Sequence, residues 1–135
     1  MKKIILNGLN DLTGTINISG AKNSVVALIP AAILTSDVVK ILNVPQLSDT
    51  ENLKKIIHLL GGNIKFGNGI LEIDSRELKN NIIPAELSNR LRASYYFMGA
   101  LLGRFHHVEI HFPGGCKIGN RPIDLHIKAF EQMGA

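Results

Sequence analysis

Two stretches of this chain match each other at a fixed shift. Ala31-Ala32-Ile33-Leu34 matches Gly99-Ala100-Leu101-Leu102 and Pro45 matches Pro113, in both cases 68 residues apart (99 minus 31, 113 minus 45). A chain that repeats itself builds copies of one supersecondary unit, each with an apolar face that its neighbour must cover. The 135 residues then hold one full unit and most of a second, within a single domain.

Periodicity sets the elements of the first unit. Leu12 to Ser19 alternates as a strand with Ile16 and Ile18 on one face. Residues 21–34 are apolar all round, which predicts a buried helix bent or interrupted at Pro30. Val38 to Val44 reads as a strand. Ser48-Asp49-Thr50-Glu51 then gives a capping-box signature ahead of Leu53, Ile56, Ile57 and Leu60 at helical spacing, with Gly61-Gly62 as the stop. Residues 63–66 and 70–73 predict a hairpin about Asn68-Gly69, a favoured two-residue turn. The order is β-α-β-α-β-β, with one helix buried and one amphipathic.

The same order restarts with an apolar helix from Asn89 to Leu102 and a strand from Val108 to Phe112. A second amphipathic helix follows through Ile123, Ile127 and Phe130 to Gly134. The expected division is residues 1–20 as leading strands, 21–74 as the rest of the first unit and 82–135 as a second unit short of its closing hairpin. On that division the chain is expected to be a fragment of something longer. Pro45 to Gly61 spans 16 residues and Pro113 to Gly134 spans 21, so the second copy carries five more. A repeat that grows a loop in one copy only is a common way of adding function to a scaffold.

That enlarged loop, Pro113-Gly114-Gly115-Cys116-Lys117-Ile118-Gly119-Asn120-Arg121-Pro122, holds the only cysteine. Lys117 and Arg121 favour a thiolate at Cys116, and the glycines let backbone amides approach a ligand. The plainer reading is an idle cysteine in a turn. Asn120 and Arg121 stand where a Walker phosphate loop needs Lys and Ser or Thr.

Cations gather at helix starts. Lys22 and Asn23 open the first buried helix, Arg92 lies near the start of its counterpart, and Arg121 precedes Pro122 at the first position of the last helix. A cation there opposes the helix dipole, so three such starts beside a thiol loop suggest a site for phosphate or carboxylate; a solvated cation is the alternative for each taken alone. Asp124 is the carboxylate near the loop that a ligand's donors could meet. Asp49 reads as first-turn helix chemistry, and Tyr95-Tyr96-Phe97-Met98 as core packing. His107, Glu109 and His111 alternate on one strand face, where a polar edge explains them better than a metal.

A net charge of +4 from scattered Lys and Arg suits an anionic small molecule at least as well as nucleic acid, and 5% aromatics with no Trp argues against a base-stacking surface. No nucleic-acid partner is expected. The longest apolar run, Val25 to Leu34, is broken by Pro30 and is about half a membrane span, so no membrane partner is expected either. A single cysteine allows no internal disulfide, which fits the cytoplasm.

Ser19-Gly20-Ala21-Lys22-Asn23, Leu91-Arg92-Ala93-Ser94 and the run from Pro113 through Cys116 to Arg121-Pro122-Ile123-Asp124-Leu125-His126 resemble the UDP-N-acetylglucosamine 1-carboxyvinyltransferases, the enolpyruvyl transferases that open peptidoglycan synthesis. The resemblance covers the whole chain and corresponds to the N-terminal third of that family. It implies an α/β fold (α+β) of inside-out barrels built from repeated β-α-β-α-β-β units around central buried helices. It also implies transfer of the enolpyruvyl group of phosphoenolpyruvate to the 3′-hydroxyl of UDP-N-acetylglucosamine, with release of phosphate.

By the same resemblance Cys116 is the general acid that protonates the phosphoenolpyruvate methylene and reacts with fosfomycin, and its loop is a lid. Lys22 and Arg121 neutralise the phosphoenolpyruvate anion, Asn23 and Arg92 position substrates, and Arg121, Pro122, Ile123, Asp124 and Leu125 line the nucleotide-sugar site. No metal or organic cofactor is implied. The implied partners are the two substrates and the remaining part of the enzyme chain, without which these residues are expected to be inactive. A non-catalytic module that holds an anion or a partner chain is the alternative.

Overall fold

The computed structural model describes residues 3–8, 11–111 and 122–135. The first helix, α1 (Lys22–Ala31), runs into a single 3-10 turn at Ala32–Leu34. Pro30 lies inside its last turn, where the missing N–H weakens the α pattern and the tighter turn takes over. Val25, Val26, Ile29, Ala32 and Ile33 are buried along one side, while Leu28 and Leu34 are 48% and 57% exposed. The helix is therefore covered on one face rather than all round.

Strand β1 (Val38–Ile41) is shorter than its apolar run because Asn43 turns the chain with a φ of 56°. Helix α2 (Ser48–Leu59) follows and inserts Leu53, Ile56 and Ile57 into the core. Ser48 is its first helical residue, Leu47 is the cap, and no side chain caps the end, so the capping box does not form. Gly61, at φ 94°, ends the helix as expected.

The hairpin of β2 (Asn63–Gly67) and β3 (Ile70–Asp74) turns on Asn68 and Gly69, with φ values of 51° and 71°. Two successive left-handed residues match the right-handed twist of the flanking strands, the reason Asn-Gly favours this turn. The three strands form one antiparallel sheet in the order β1-β3-β2, with Val38 opposite Asp74 and Ile41 opposite Leu71.

In the second unit, β4 (Ile82–Ile83) pairs in parallel with β5 (Glu109–Ile110). The expected long helix from Asn89 is split. A short α3 (Ala85–Ser88) ends at Asn89, Leu91 is extended at φ −142° and ψ 114°, and a 3-10 turn at Arg92–Tyr95 leads into α4 (Tyr96–Phe105). Buried Ser94 spans the break by donating its hydroxyl to the Ser88 carbonyl at 3.3 Å. The last helix is α5 (Asp124–Gln132), closed by Gly134 at φ 97°.

Helices α1 and α4 pack against each other over a core that includes Ile29, Ile33, Phe97 and Leu101. Residues 3–8 and 11–20 hold no strand, contrary to the alternation of Leu12 to Ser19. Leu12, Ile16 and Ile18 are more than 80% exposed there. A strand needs a neighbour to receive its backbone hydrogen bonds, and none lies beside them among the described residues. No helix among the described residues is long and apolar enough to cross a membrane.

Candidate functional site: a cationic cleft at the helix starts

Gly20 sets the first wall of the site. A Cβ at this position would stand 1.9 Å from the Asn43 carbonyl oxygen, so only glycine lets the chain entering α1 lie against the loop between β1 and α2. That approach brings the start of α1 to the start of α2. Lys22 Nζ meets Asp49 Oδ2 at 2.5 Å, across two elements. Both helices thus turn their positive ends toward the same place.

The opposite wall comes from the broken segment ahead of α4. Lys22, Asn23 and Asp49 line a cleft of about 460 Å³ together with Arg90, Arg92, Tyr95 and Tyr96. Three cations and one carboxylate face it, and α1 has neither an acidic residue in its first turn nor a side-chain cap. Main-chain N–H groups and converging cations of this kind bind a small anion bearing phosphate or carboxylate. The break at Leu91 puts Arg90 and Arg92 on this wall; a continuous helix from Asn89 would carry them around its axis.

Tyr95 and Tyr96 stack with ring centroids 4.4 Å apart, and Tyr95 also meets the ring of His126 edge-on at 5.4 Å. Burial, and then the hydrogen bond with Tyr96, push the Tyr95 phenol above its ordinary pKa, so it stays protonated at neutral pH. The His126 contact ties the beginning of α5 to the cleft wall. Pro122 and Leu125 are exposed there, Ile123 is buried at 8% and Asp124 stands in the first turn.

Lys22, Asn23 and Arg92 are therefore brought into one cleft, whereas Pro122, Ile123, Asp124 and Leu125 do not line it. Cys116 and Arg121 lie outside the described residues. Among the described residues no three His, Cys, Asp or Glu side chains gather as a metal site.

Sequence reasoning missed four residues of this cleft. Asp49 is an ion-pair partner as well as a first-turn residue, and Arg90, two positions before Arg92, joins it on the cleft wall. Tyr95 and Tyr96 face the cleft, and Tyr96 is 40% exposed where Phe97 is fully buried. The available signal was two phenols placed just after a polar Arg-rich turn, since phenols at a cleft keep one end wet.

The chain matches known proteins along its whole length. It is 55% identical over 135 residues to UDP-N-acetylglucosamine 1-carboxyvinyltransferase 2 of Streptococcus thermophilus (strain CNRZ 1066). It is 56% identical to UDP-N-acetylglucosamine 1-carboxyvinyltransferase of Streptococcus pneumoniae serotype 2 (strain D39 / NCTC 7466). In both cases all of this chain matches 32% of the relative, so it spans about a third of their length. Among solved structures, the enolpyruvyl transferase NikO from Streptomyces tendae superposes with a TM-score of 0.61 at 30% identity, over 70% of this chain and 22% of that one. The mixed α/β fold is thus that of the enolpyruvyl transferases. Residues 6–135 match the model of EPSP synthase (3-phosphoshikimate 1-carboxyvinyltransferase), and the chain belongs to that family.

Proposed function

We propose that this chain supplies the anion-binding wall of an enzyme that transfers the enolpyruvyl group of phosphoenolpyruvate to the 3′-hydroxyl of UDP-N-acetylglucosamine, releasing phosphate in the first committed step of peptidoglycan synthesis. The observation that carries this reading is the convergence of Lys22, Asn23, Arg90 and Arg92 on one cleft beside two helix starts. It is supported by 55% identity to carboxyvinyltransferases named for UDP-N-acetylglucosamine.

In this reading Lys22 and Arg121 bind the phosphoenolpyruvate phosphate and carboxylate, and they stabilise the charge that shifts toward phosphate as it departs. Asn23 and Arg92 orient the two substrates. Pro122, Ile123, Asp124 and Leu125 hold the nucleotide sugar from the start of α5. Cys116 delivers the proton to the methylene carbon, and it is the thiol that fosfomycin alkylates. The reaction belongs in the cytoplasm and uses no metal or organic cofactor.

The test is a chimera of this chain with the remaining two thirds of the Streptococcus pneumoniae relative. It should release phosphate only when both substrates are present, and fosfomycin should label the peptide that carries Cys116. Lys22→Ala should cut turnover by a factor on the order of 10² to 10³ with the fold intact, the scale of losing one preorganised charged contact. The chain alone should release none, because it spans about a third of its relatives. Parental turnover in the Lys22→Ala chimera, or a folded chimera that is inactive, would refute the proposal.

A further inference from the structure

Lys22 carries its ammonium on a flexible stem and is 54% exposed. It stands at the positive end of α1 and shares the cleft with Arg90 and Arg92, so repulsion alone would turn it out to solvent. One carboxylate of the cleft opposes this. Asp49 comes from the first turn of α2, where the helix end favours its negative charge, and its side chain is only 22% exposed.

Two neighbours keep that carboxylate in place. The Thr50 hydroxyl donates to the Leu47 carbonyl and fixes the first turn of α2. Glu51, the other acid of that turn, is engaged with Lys54 at 2.7 Å, which leaves Asp49 to meet Lys22. A pair this exposed adds little to stability. Its effect is to choose where one ammonium points.

We propose that Asp49 is a positioning residue: its carboxylate holds the Lys22 ammonium at the cleft, so that the anionic substrate meets an oriented charge. This rests on the enolpyruvyl-transfer reading of the cleft. Asp49 touches no reacting atom in that reading and acts only through Lys22.

A double-mutant cycle in the same chimera tests it. Asp49→Asn should lower kcat/KM for phosphoenolpyruvate about tenfold, within the usual coupling range for residues in contact. The KM for UDP-N-acetylglucosamine should stay where it was, and Asp49→Glu should restore most of the loss. In a Lys22→Ala background, Asp49→Asn should cost nothing further. If Asn unsettles α2, Asp49→Ser keeps a good helix-start residue and completes the same cycle. Additive losses, or full activity of Asp49→Asn where Lys22→Ala is crippled, would overturn the proposal and leave the anion-binding reading standing. Full activity of Lys22→Ala would overturn both.

Discussion

Arg104 should prove the residue that locks the two units together. It lies in the last turn of α4, yet its guanidinium reaches back into the first unit. Nη1 donates to the carbonyls of Ile33 at 2.8 Å and Thr35 at 2.7 Å, and Nη2 donates to that of Ser75 at 2.7 Å. The first two carbonyls end the helical segment after α1, where acceptors lack intrahelical partners and a cation is favoured. Ser75, fully buried, adds its own hydroxyl bond to Thr35.

Charge-assisted hydrogen bonds contribute about 1.5–3 kcal/mol each when buried. Three on one half-buried guanidinium are not additive, so Arg104→Met, which keeps the apolar stem, should cost about 2–3 kcal/mol. That corresponds to a rise of roughly 30- to 150-fold in the local opening constant. Hydrogen exchange of the chimera, read by mass spectrometry, should show this loss of protection in peptides covering α4 and β3. Arg104→Lys should recover only part, since one ammonium cannot span the carbonyls of Ile33, Thr35 and Ser75 together. Unchanged exchange in α4 and β3 would refute the claim that the guanidinium joins the repeats.

Two further outcomes follow from local geometry. Gly20→Ala places a methyl against the Asn43 carbonyl, a backbone atom that cannot rotate away, so it should cost about 1–3 kcal/mol and raise the KM for phosphoenolpyruvate in the chimera by separating Lys22 from Asp49; an unaltered KM would show that this close approach does not set the cleft. Asp74 has its carboxyl pKa lowered from 3.8 to about 2, first by the hydrogen bond from the Arg76 side chain and then by that residue's N–H. A lowered folded-state pKa means that whatever stability the pair contributes is fully present above 3.8 and is lost as pH falls through about 2. Carboxyl-carbon NMR should find that midpoint near 2 and see it return toward 3.8 in Arg76→Ala.

Where a signal is local, the sequence showed it plainly. Asn68-Gly69 dictated its own turn because two left-handed residues in succession leave few options, and Gly61 and Gly134 closed helices at the residues expected. The helices that hold Ala31 and Gly99, α1 and α4, lie together. What failed was non-local. The alternation of Leu12 to Ser19 is a sound strand pattern, but a pattern describes a face and provides no partner for the backbone. In the same way, residues 21–34 are apolar enough to be buried on every side, yet the exposure of Leu28 and Leu34 depends on what lies against them.

The site was half legible for the same physical reason. Lys22, Asn23 and Arg92 could be singled out from their positions at helix starts, because an unpaired N–H and a misplaced cation are properties of one segment. Asp49 could not, since its first-turn position already explained it and its second role exists only once Gly20 has brought α1 within reach of α2. The break at Leu91 worked the same way: the residues from Asn89 on read as one continuous apolar helix, and the extended Leu91 is held by the Ser94 to Ser88 bond across the gap. That break turns Arg90, Arg92, Tyr95 and Tyr96 to the cleft. In this fold the charges that line the cleft are written in the sequence, while the two backbone features that converge them, a glycine contact and a helix break, become visible only in three dimensions.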